Sequence, residues 1–203
     1  MNNRGDPYAF CIRDIEFLSS NGRTVVPHHI AVRNRSAIHY TQKCYRVQKN
    51  KMNGQKKKLG RNKTHPHLCP VEDWLDIVDR FLRLVGPNVK DRPLAIYKCE
   101  KTKKILNICS DDSKDLMRLI VRKTYDITDK KELNKFTNHS IRVGACCILQ
   151  SRKESDSFIQ NALRWKSDTW KMYCRNLTSV ANDLSETISC EYEAALLANL
   201  RIN

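Results

Sequence analysis

A histidine and an arginine three residues apart, His139 and Arg142, open the apolar segment HSIRVGACCIL. On an α-helix, residues at positions i and i+3 project from the same face, so the two side chains would lie side by side. The first turn of a helix has free N–H groups and the positive end of the helix dipole, and both favour a bound anion. An arginine can hold two phosphate oxygens while a histidine donates to a third. H-x-x-R alone is a common pattern, but this setting indicates a phosphate-binding site.

A tryptophan and a tyrosine follow in the segment ALRWKSDTWKMYCRN. Ser167 or Asp168 can cap a helix there, which would place Tyr173 about one and a half turns into it. A phenol with its ordinary pKa of about 10 is a poor nucleophile. Surrounded by cationic donors, it can attack a phosphodiester and form a phosphotyrosine bond without water or a metal. The alternative is that Tyr173 is a packed helix aromatic and that Trp165 belongs to the core.

Positive charge is concentrated in one stretch of the chain. The net charge is +15, and residues 18–70 contain twelve Lys or Arg and no Asp or Glu. A localised basic field attracts polyanions, of which nucleic acid is the commonest inside cells. The alternative is a solvated lysine-rich hairpin without a ligand. The candidate DNA-binding residues are Lys51, Lys56, Lys57, Lys58, Arg61 and Lys63.

The sequence does not favour a membrane protein, a secreted protein or a metal site. No apolar run approaches the roughly 20 residues of a membrane-spanning helix, and the start MNNRGDPY does not resemble a signal peptide. We therefore expect an intracellular protein whose nine scattered cysteines are reduced. His65, His67 and Cys69 lack a fourth ligand nearby, so we predict no metal and no cofactor.

The N-terminal part of the chain has the patterns of a small sheet. The segments AFCIRDIEFL and AIHYTQKCYRVQ alternate apolar and polar residues, as half-buried strands do. Asn21-Gly22 is a turn signal, and Asn53-Gly54 within NKMNGQKKKLG predicts a β-hairpin with a basic tip. The segments PLAIYKC and KKILNIC favour two further short strands.

The remainder of the chain has helical periodicity. A helix from Pro70 to Gly86 carries an apolar face, and DDSKDLMRLIVRKTY favours a helix with Leu116, Leu119, Ile120 and Lys123 spaced for one face. HSIRVGACCILQSR, SDSFIQNAL, SDTWKMYCRN and the tail from Asn182 also have helical patterns. We predict an α+β fold in a single domain, mainly helical, with a small antiparallel basic sheet at about 9–60 and a helical part at about 70–203.

The C-terminal tail combines an apolar stripe with acidic residues. The apolar side chains recur every four residues, at Leu184, Ile188, Tyr192, Leu196 and Leu200. Such a helix can dock on the core of its own chain or on a neighbouring subunit, which would give a homo-oligomer on DNA.

From His139 to Asn176 the sequence resembles the C-terminal part of tyrosine recombinases of the phage-integrase type. It is closest to the integrase-like proteins of eukaryotic mobile elements. The motif H-S-I-R-V-G, followed by R-W-K-S-D and a tyrosine, carries the resemblance, which extends loosely to CIRDIEF, YRVQKN and LCPVEDW. It implies the catalytic-domain fold of that family, and double-stranded DNA as partner. It also implies DNA strand breakage and rejoining in recombination or integration, and a nuclear location.

The resemblance also implies a role for each matching residue. Tyr173 matches the nucleophile that forms a 3′-phosphotyrosyl intermediate. Arg142 and His139 match the second phosphate-binding arginine and its histidine partner. Trp165 falls where the family has a His or Trp that hydrogen-bonds the scissile phosphate.

Two further features of the family concern the N-terminal half. Its mobile hairpin lysine, which protonates the leaving 5′-oxygen, would be Lys49, with Lys51 as an alternative. Its earlier active-site arginine belongs to an R-x-x-E-like segment before the first strand, and neither Arg4 nor Arg13 has that context. The family's N-terminal DNA-clamping domain has no counterpart either. Loss of a phosphate-binding arginine would cost roughly 3–4 kcal/mol of transition-state stabilisation, as loss of one oxyanion donor does elsewhere.

This departure keeps alternatives to an active enzyme open. The chain would be a truncated gene product or a decayed copy, and the second hypothesis is a non-catalytic DNA-binding remnant of a mobile-element recombinase. A third hypothesis is a helical protein-interaction module that uses the acidic tail.

Overall fold

The computed structural model describes residues 9–47, 53–165 and 167–173. Their fold is mixed α+β with a small antiparallel sheet near the N-terminus, which confirms the predicted class. The chain divides into two compact units, Met1–Cys109 and Ser110–Asn203. The single domain stays a prediction. No helix in the described part is long and apolar enough to cross a bilayer.

The main sheet of the first unit is antiparallel and has the spatial order β2-β1-β3-β4. Its strands are β1 Ile15–Leu18, β2 Val25–Val26, β3 Tyr40–Tyr45 and β4 Gln55–Gly60. The β3–β4 pair is the predicted hairpin, with Tyr45 opposite Gln55. Gly54 has a φ of +78°, and its N–H donates to the Tyr45 carbonyl at 2.7 Å. Glycine suits this position because it adopts positive φ without a steric penalty.

The first predicted strand is shorter than its alternating pattern indicates. A 3-10 turn, Ile12–Asp14, precedes β1. The buried carboxylate of Asp14 accepts a hydrogen bond from the Cys11 N–H at 2.8 Å and one from Arg46 Nε at 2.5 Å. A side chain that bonds to nearby backbone competes with strand pairing, so the strand begins only after this carboxylate.

A helix provides the core of the first unit, as predicted from Pro70 onward. The remaining elements of this unit are α1 His28–Arg33, α2 Pro70–Val85, β5 Ile96–Lys98 and β6 Ile105–Asn107. The apolar face of α2 is buried with residues of β1 in one cluster, which includes Val71, Leu75, Val78, Phe81 and Phe17. β5 and β6, the two further strands that the sequence favoured, pair in a two-stranded antiparallel sheet. The short helix α1 was not expected, because six residues show too little periodicity.

The second unit is helical in its described part. Its elements are α3 Ser110–Tyr125, α4 Lys130–Asn134, α5 Asn138–Ser151, α6 Asp156–Leu163 and a 3-10 helix Asp168–Tyr173. Cys146, Ile159 and Trp170 form a small buried cluster that joins the last three elements. The segment SDTWKMYCRN therefore begins as a 3-10 helix. The tail helix predicted from Asn182 lies outside the described residues.

The face of α3 that the sequence spacing indicates is exposed. Leu116, Leu119 and Ile120 are 59%, 45% and 55% exposed, whereas Val121 is buried. The opposite face is fixed by a polar contact, in which Arg118 Nε donates to the Phe136 carbonyl at 3.1 Å. The helix has apolar residues on two faces, and periodicity alone cannot show which of them meets the rest of the unit.

Candidate active site

The start of α5 sets the position of His139 and Arg142. The Thr137 N–H donates to the Ser140 hydroxyl at 3.0 Å, which satisfies a backbone group just before the helix. The Asn138 side-chain amide donates to the Ser110 carbonyl at 2.8 Å and ties this end of α5 to the start of α3. His139 and Arg142 are exposed in the first turns that follow.

The end of α6 sets the position of Trp165. Arg164 follows the helix in the left-handed conformation, with a φ of +58°. The Trp165 N–H then donates to the Gln160 carbonyl at 2.9 Å, while the Arg164 N–H bonds to the Asn161 carbonyl at 3.4 Å. This is the Schellman pattern of helix termination. It turns the chain back so that the indole packs against the cluster of Cys146, Ile159 and Trp170.

The 3-10 helix positions Tyr173. Trp170 is 2% exposed and lies three residues before Tyr173, and side chains three apart share one side of a 3-10 helix. The backbone is also held from α5. The Cys146 thiol contacts the Trp170 carbonyl at 3.7 Å, and the Cys147 thiol contacts the Tyr173 carbonyl at 3.5 Å.

These elements bring together four of the side chains that the sequence singled out. His139 Nε2 lies 3.0 Å from the Tyr173 hydroxyl. The rings of Trp165 and Tyr173 are in contact, with centroids 5.6 Å apart. The guanidinium carbon of Arg142 stacks over the Trp165 ring at 5.1 Å. The phenol therefore has an imidazole as hydrogen-bond partner and lies beside an indole that stacks against a guanidinium.

The cluster can interact with an anion from solvent. Arg142 is exposed, and one of its nitrogens, Nη2, reaches the Leu163 carbonyl at 3.4 Å. Trp165 Nε1 is buried without a hydrogen-bond partner among the described residues. An unsatisfied buried donor costs about 1–3 kcal/mol, which an acceptor that reached it would recover. The tautomer of His139 decides whether Nε2 accepts from or donates to the phenol.

The sequence did not identify the residues that hold Tyr173 and its 3-10 helix in place. Trp170 was not singled out, although its spacing of three from Tyr173 is the period of a 3-10 helix. Cys147 and Lys171 carried no signal, because their partners are a carbonyl and carboxylates that only the fold brings near.

The basic hairpin residues are partly engaged within the first unit. Lys56 pairs with Glu16 at 3.0 Å, and Lys58 donates to the Gly22 carbonyl at 2.7 Å. Burial alone would raise the pKa of Glu16, but hydrogen bonds from Lys56 and Gln42 outweigh it and lower that pKa. The two lysines lie on β4, at the edge of the sheet, where charged side chains also discourage pairing with other strands.

Arg61 has a structural role in the same unit. Its guanidinium donates to the Ile38 carbonyl at 2.7 Å and to the Arg35 carbonyl at 2.6 Å, and it pairs with Glu72 at the start of α2. Only 19% of its side chain is exposed. These contacts join the end of β4 to α2 and to the 3-10 turn Arg35–Ala37, which follows α1.

The other predicted DNA-binding residues differ in how they are placed. Lys57 lies opposite Lys43 in the hairpin, and Lys63 is exposed beyond the end of β4. Lys49 and Lys51 lie outside the described residues, so the assignment of the catalytic lysine stays a prediction. The same holds for the DNA-binding roles.

Cysteines and histidines of the described residues are not gathered into a metal site. No group of three or more His, Cys, Asp or Glu in this part of the chain is placed to hold a metal ion. In the segment HPHLCP, His65 and His67 are exposed, whereas Cys69 is buried and accepts a hydrogen bond from the Asn62 N–H. The seven described cysteines are free thiols.

Two of these thiols differ in acidity. Hydrogen bonds from the side chain and the backbone of Thr102 lower the pKa of the Cys99 thiol. Burial raises the pKa of the Cys11 thiol, although the positive charge of Arg46 opposes this effect. Because the thiolate is the nucleophilic form, we expect Cys99 to be the more reactive of the two.

Comparison of the chain with models of protein families, with curated proteins and with solved structures finds no match.

Proposed function

We propose that the chain acts on DNA as a strand-transfer enzyme of the tyrosine-recombinase type, with Tyr173 as the nucleophile. The observation that carries this proposal is the 3.0 Å contact between His139 Nε2 and the Tyr173 hydroxyl. A phenol becomes a competent nucleophile when a neighbouring base accepts its proton. The stacked guanidinium of Arg142 supplies positive charge in the same cluster.

The reaction would form one bond and break one. The phenolic oxygen of Tyr173 bonds to the phosphorus of a phosphodiester, and its proton passes to the unprotonated Nε2 of His139. The bond from phosphorus to the 5′-oxygen breaks, and that oxygen takes a proton from Lys49, as the resemblance implies. Arg142 stabilises the charge that develops on the non-bridging oxygens. Rejoining is the reverse reaction with a 5′-hydroxyl from another strand.

The role of His139 as acceptor of the phenolic proton extends the sequence prediction, which assigned this residue to the phosphate. Both roles are chemically compatible, because an imidazolium that has received the proton can donate it to a phosphate oxygen. The basic stretch at 18–70, with its twelve Lys or Arg, supports DNA as the substrate.

A covalent-adduct assay tests the proposal without knowledge of the target sequence. Random-sequence duplexes with 5′-bridging phosphorothiolate linkages release a thiolate, which needs no proton, so adduct formation does not depend on Lys49. The wild type should form a protein–DNA adduct that resists denaturant, and Tyr173→Phe should form none. Tyr125→Phe is the matched control, because Tyr125 is 70% exposed on α3. An adduct that persists in Tyr173→Phe would refute the assignment.

A second function, DNA binding without strand cleavage, is favoured by the placement of Arg13. This residue pairs with Asp91, and its sequence context is not the R-x-x-E-like segment of the family's earlier active-site arginine. Binding that weakens as salt rises, without an adduct from the wild type, would support this second function over the first.

A further inference from the structure

A network of charged residues holds the 3-10 helix that carries Tyr173. Lys171 Nζ lies 2.7 Å from Asp156 Oδ2, at the start of α6, and 3.4 Å from Asp168 Oδ2. Gln160 Nε2, on α6, donates to Asp168 Oδ1 at 2.5 Å. The Lys171 ammonium also lies 5.7 Å from the centre of the Trp170 ring. Two carboxylates and one amide thus connect the 3-10 helix to α6.

A 3-10 helix of this length needs such support. Its hydrogen-bond geometry is poorer than that of an α-helix, and runs longer than three or four residues are uncommon. Asp168–Tyr173 has six residues, and Tyr173 is its last. Trp170 and the thiol contacts from α5 hold it on one side, and the Lys171 network holds it to α6.

We propose that Lys171 is a positioning residue, which acts through Asp156 and Asp168 to keep the Tyr173 hydroxyl within hydrogen-bond reach of His139. The inference rests on the proposed function, in which this hydroxyl attacks the phosphodiester. A displacement of about 1 Å in a reacting group can lower a rate by about 100-fold. A modest tether can therefore have a measurable effect on the rate of adduct formation.

A direct contact between Lys171 and a DNA phosphate is the competing role, and the network makes it distinguishable. If Lys171 held a phosphate, removal of the negative charge of Asp156 would strengthen DNA binding. If Lys171 acts by positioning, removal of Asp156 has the same effect as removal of Lys171, because both changes release the same contact. The two roles thus predict different effects for Asp156→Asn, namely tighter DNA binding if Lys171 holds a phosphate and a slower reaction at unchanged affinity if Lys171 acts by positioning.

The rate experiment compares Lys171→Met, Asp156→Asn and the double variant at saturating phosphorothiolate duplex. We expect each single change to slow adduct formation about tenfold, the double change to slow it no further, and the DNA dissociation constant to stay within twofold. Lys171→Arg should restore most of the rate. Lys135→Met is the matched control, since Lys135 forms an exposed 2.7 Å ion pair with Glu132 that involves no residue of the 3-10 helix; its rate should stay within twofold.

A second readout does not depend on catalysis. The ring carbon resonances of His139, assigned by their loss in His139→Asn, should move in Tyr173→Phe because the 3.0 Å contact is lost. Lys171→Met and Asp156→Asn should move them in the same direction. If the wild type forms no adduct, the proposed function fails, and these resonances alone decide the positioning role.

Two results would overturn the inference. One is a His139 spectrum that Lys171→Met and Asp156→Asn leave as in the wild type. The other is tighter DNA binding by Asp156→Asn with an unchanged adduct rate. Circular dichroism shows whether each variant is folded. If Lys171→Met does not fold, the test rests on Asp156→Asn.

Discussion

Replacement of Arg142 by lysine separates the charge of this residue from its geometry. The guanidinium stacks over Trp165 at 5.1 Å and reaches the Leu163 carbonyl through Nη2 at 3.4 Å. Lysine keeps the positive charge but has neither the planar fork that grips two phosphate oxygens nor a plane that stacks on an indole. Arg142→Lys should therefore retain most DNA binding and lose most of the reaction rate.

The size of the effect follows from the two contributions. The stacking contact is exposed, so its loss should change the free energy of unfolding by no more than about 1 kcal/mol. Loss of one donor to a developing oxyanion costs about 3–4 kcal/mol of transition-state stabilisation, which corresponds to a rate lower by a factor of about 100 to 1000. The rate should thus fall far more than the stability.

The assay is the rate of covalent adduct formation at saturating DNA, with chemical denaturation of the same protein as the measure of stability. Arg152→Lys is the control, since Arg152 is an exposed arginine at the other end of α5. The reasoning is refuted if Arg142→Lys reacts as fast as the wild type. It is equally refuted if both lysine variants lose the same factor, because that would show a general effect of charge geometry on DNA binding.

Three further predictions concern the first unit. At neutral pH, iodoacetamide should alkylate Cys99 before Cys11, because hydrogen bonding lowers the pKa of one thiol and burial raises that of the other; mass spectrometry of partly labelled protein checks this, and the reverse order would contradict it. Asp14→Asn should lower the free energy of unfolding by about 3 kcal/mol, since it leaves a paired arginine without its buried carboxylate; urea denaturation measures the loss, and a change below about 1 kcal/mol would count against the network. The pKa of Glu16 is lowered in the folded chain, so the ionised carboxylate stabilises the fold. This contribution to the free energy of unfolding is present above the unfolded-state pKa of about 4.3 and is lost as pH falls through the folded-state pKa. The stability difference between wild type and Lys56→Met should therefore shrink from pH 7 to pH 3, and a constant difference would show that the ion pair contributes nothing.

Much of the fold could be predicted because local pattern and tertiary packing agree. The apolar face of α2 is long and regular, and Asn53-Gly54 has the turn chemistry of a hairpin, so both elements formed where expected. The hydrophobic pattern gave the wrong strand length or the wrong buried face where a polar side chain bonded to backbone or where a helix had a second apolar face. Asp14 delays the start of the first strand by bonding to backbone, and α3 buries Val121 in place of its more apolar opposite face.

The candidate site could be predicted in its residue types but not in its support. His139 and Arg142 follow from helical spacing. Trp165 and Tyr173 lie on other elements; the chemistry of a phenol among cationic donors suggested Tyr173, and the resemblance supplied the role of Trp165. These side chains meet because the chain turns at Arg164 in the left-handed conformation. The sequence does not indicate this turn, since glycine is the usual residue at such a position. Long-range contacts of this kind have no local signature in the sequence.

In the proposed function, the contacts that place the nucleophile differ from those that bind the phosphate. Contacts within the protein place the Tyr173 hydroxyl 3.0 Å from His139 Nε2. Arg142 is held against Trp165 but remains exposed, so its donors are accessible to a substrate anion. Changes that disturb the 3-10 helix should therefore lower the rate at saturating DNA without altering affinity, whereas changes to exposed arginine or lysine side chains that contact phosphate should alter both affinity and its salt dependence. A variant of the 3-10 helix that weakened DNA binding while retaining the wild-type rate at saturation would contradict this division.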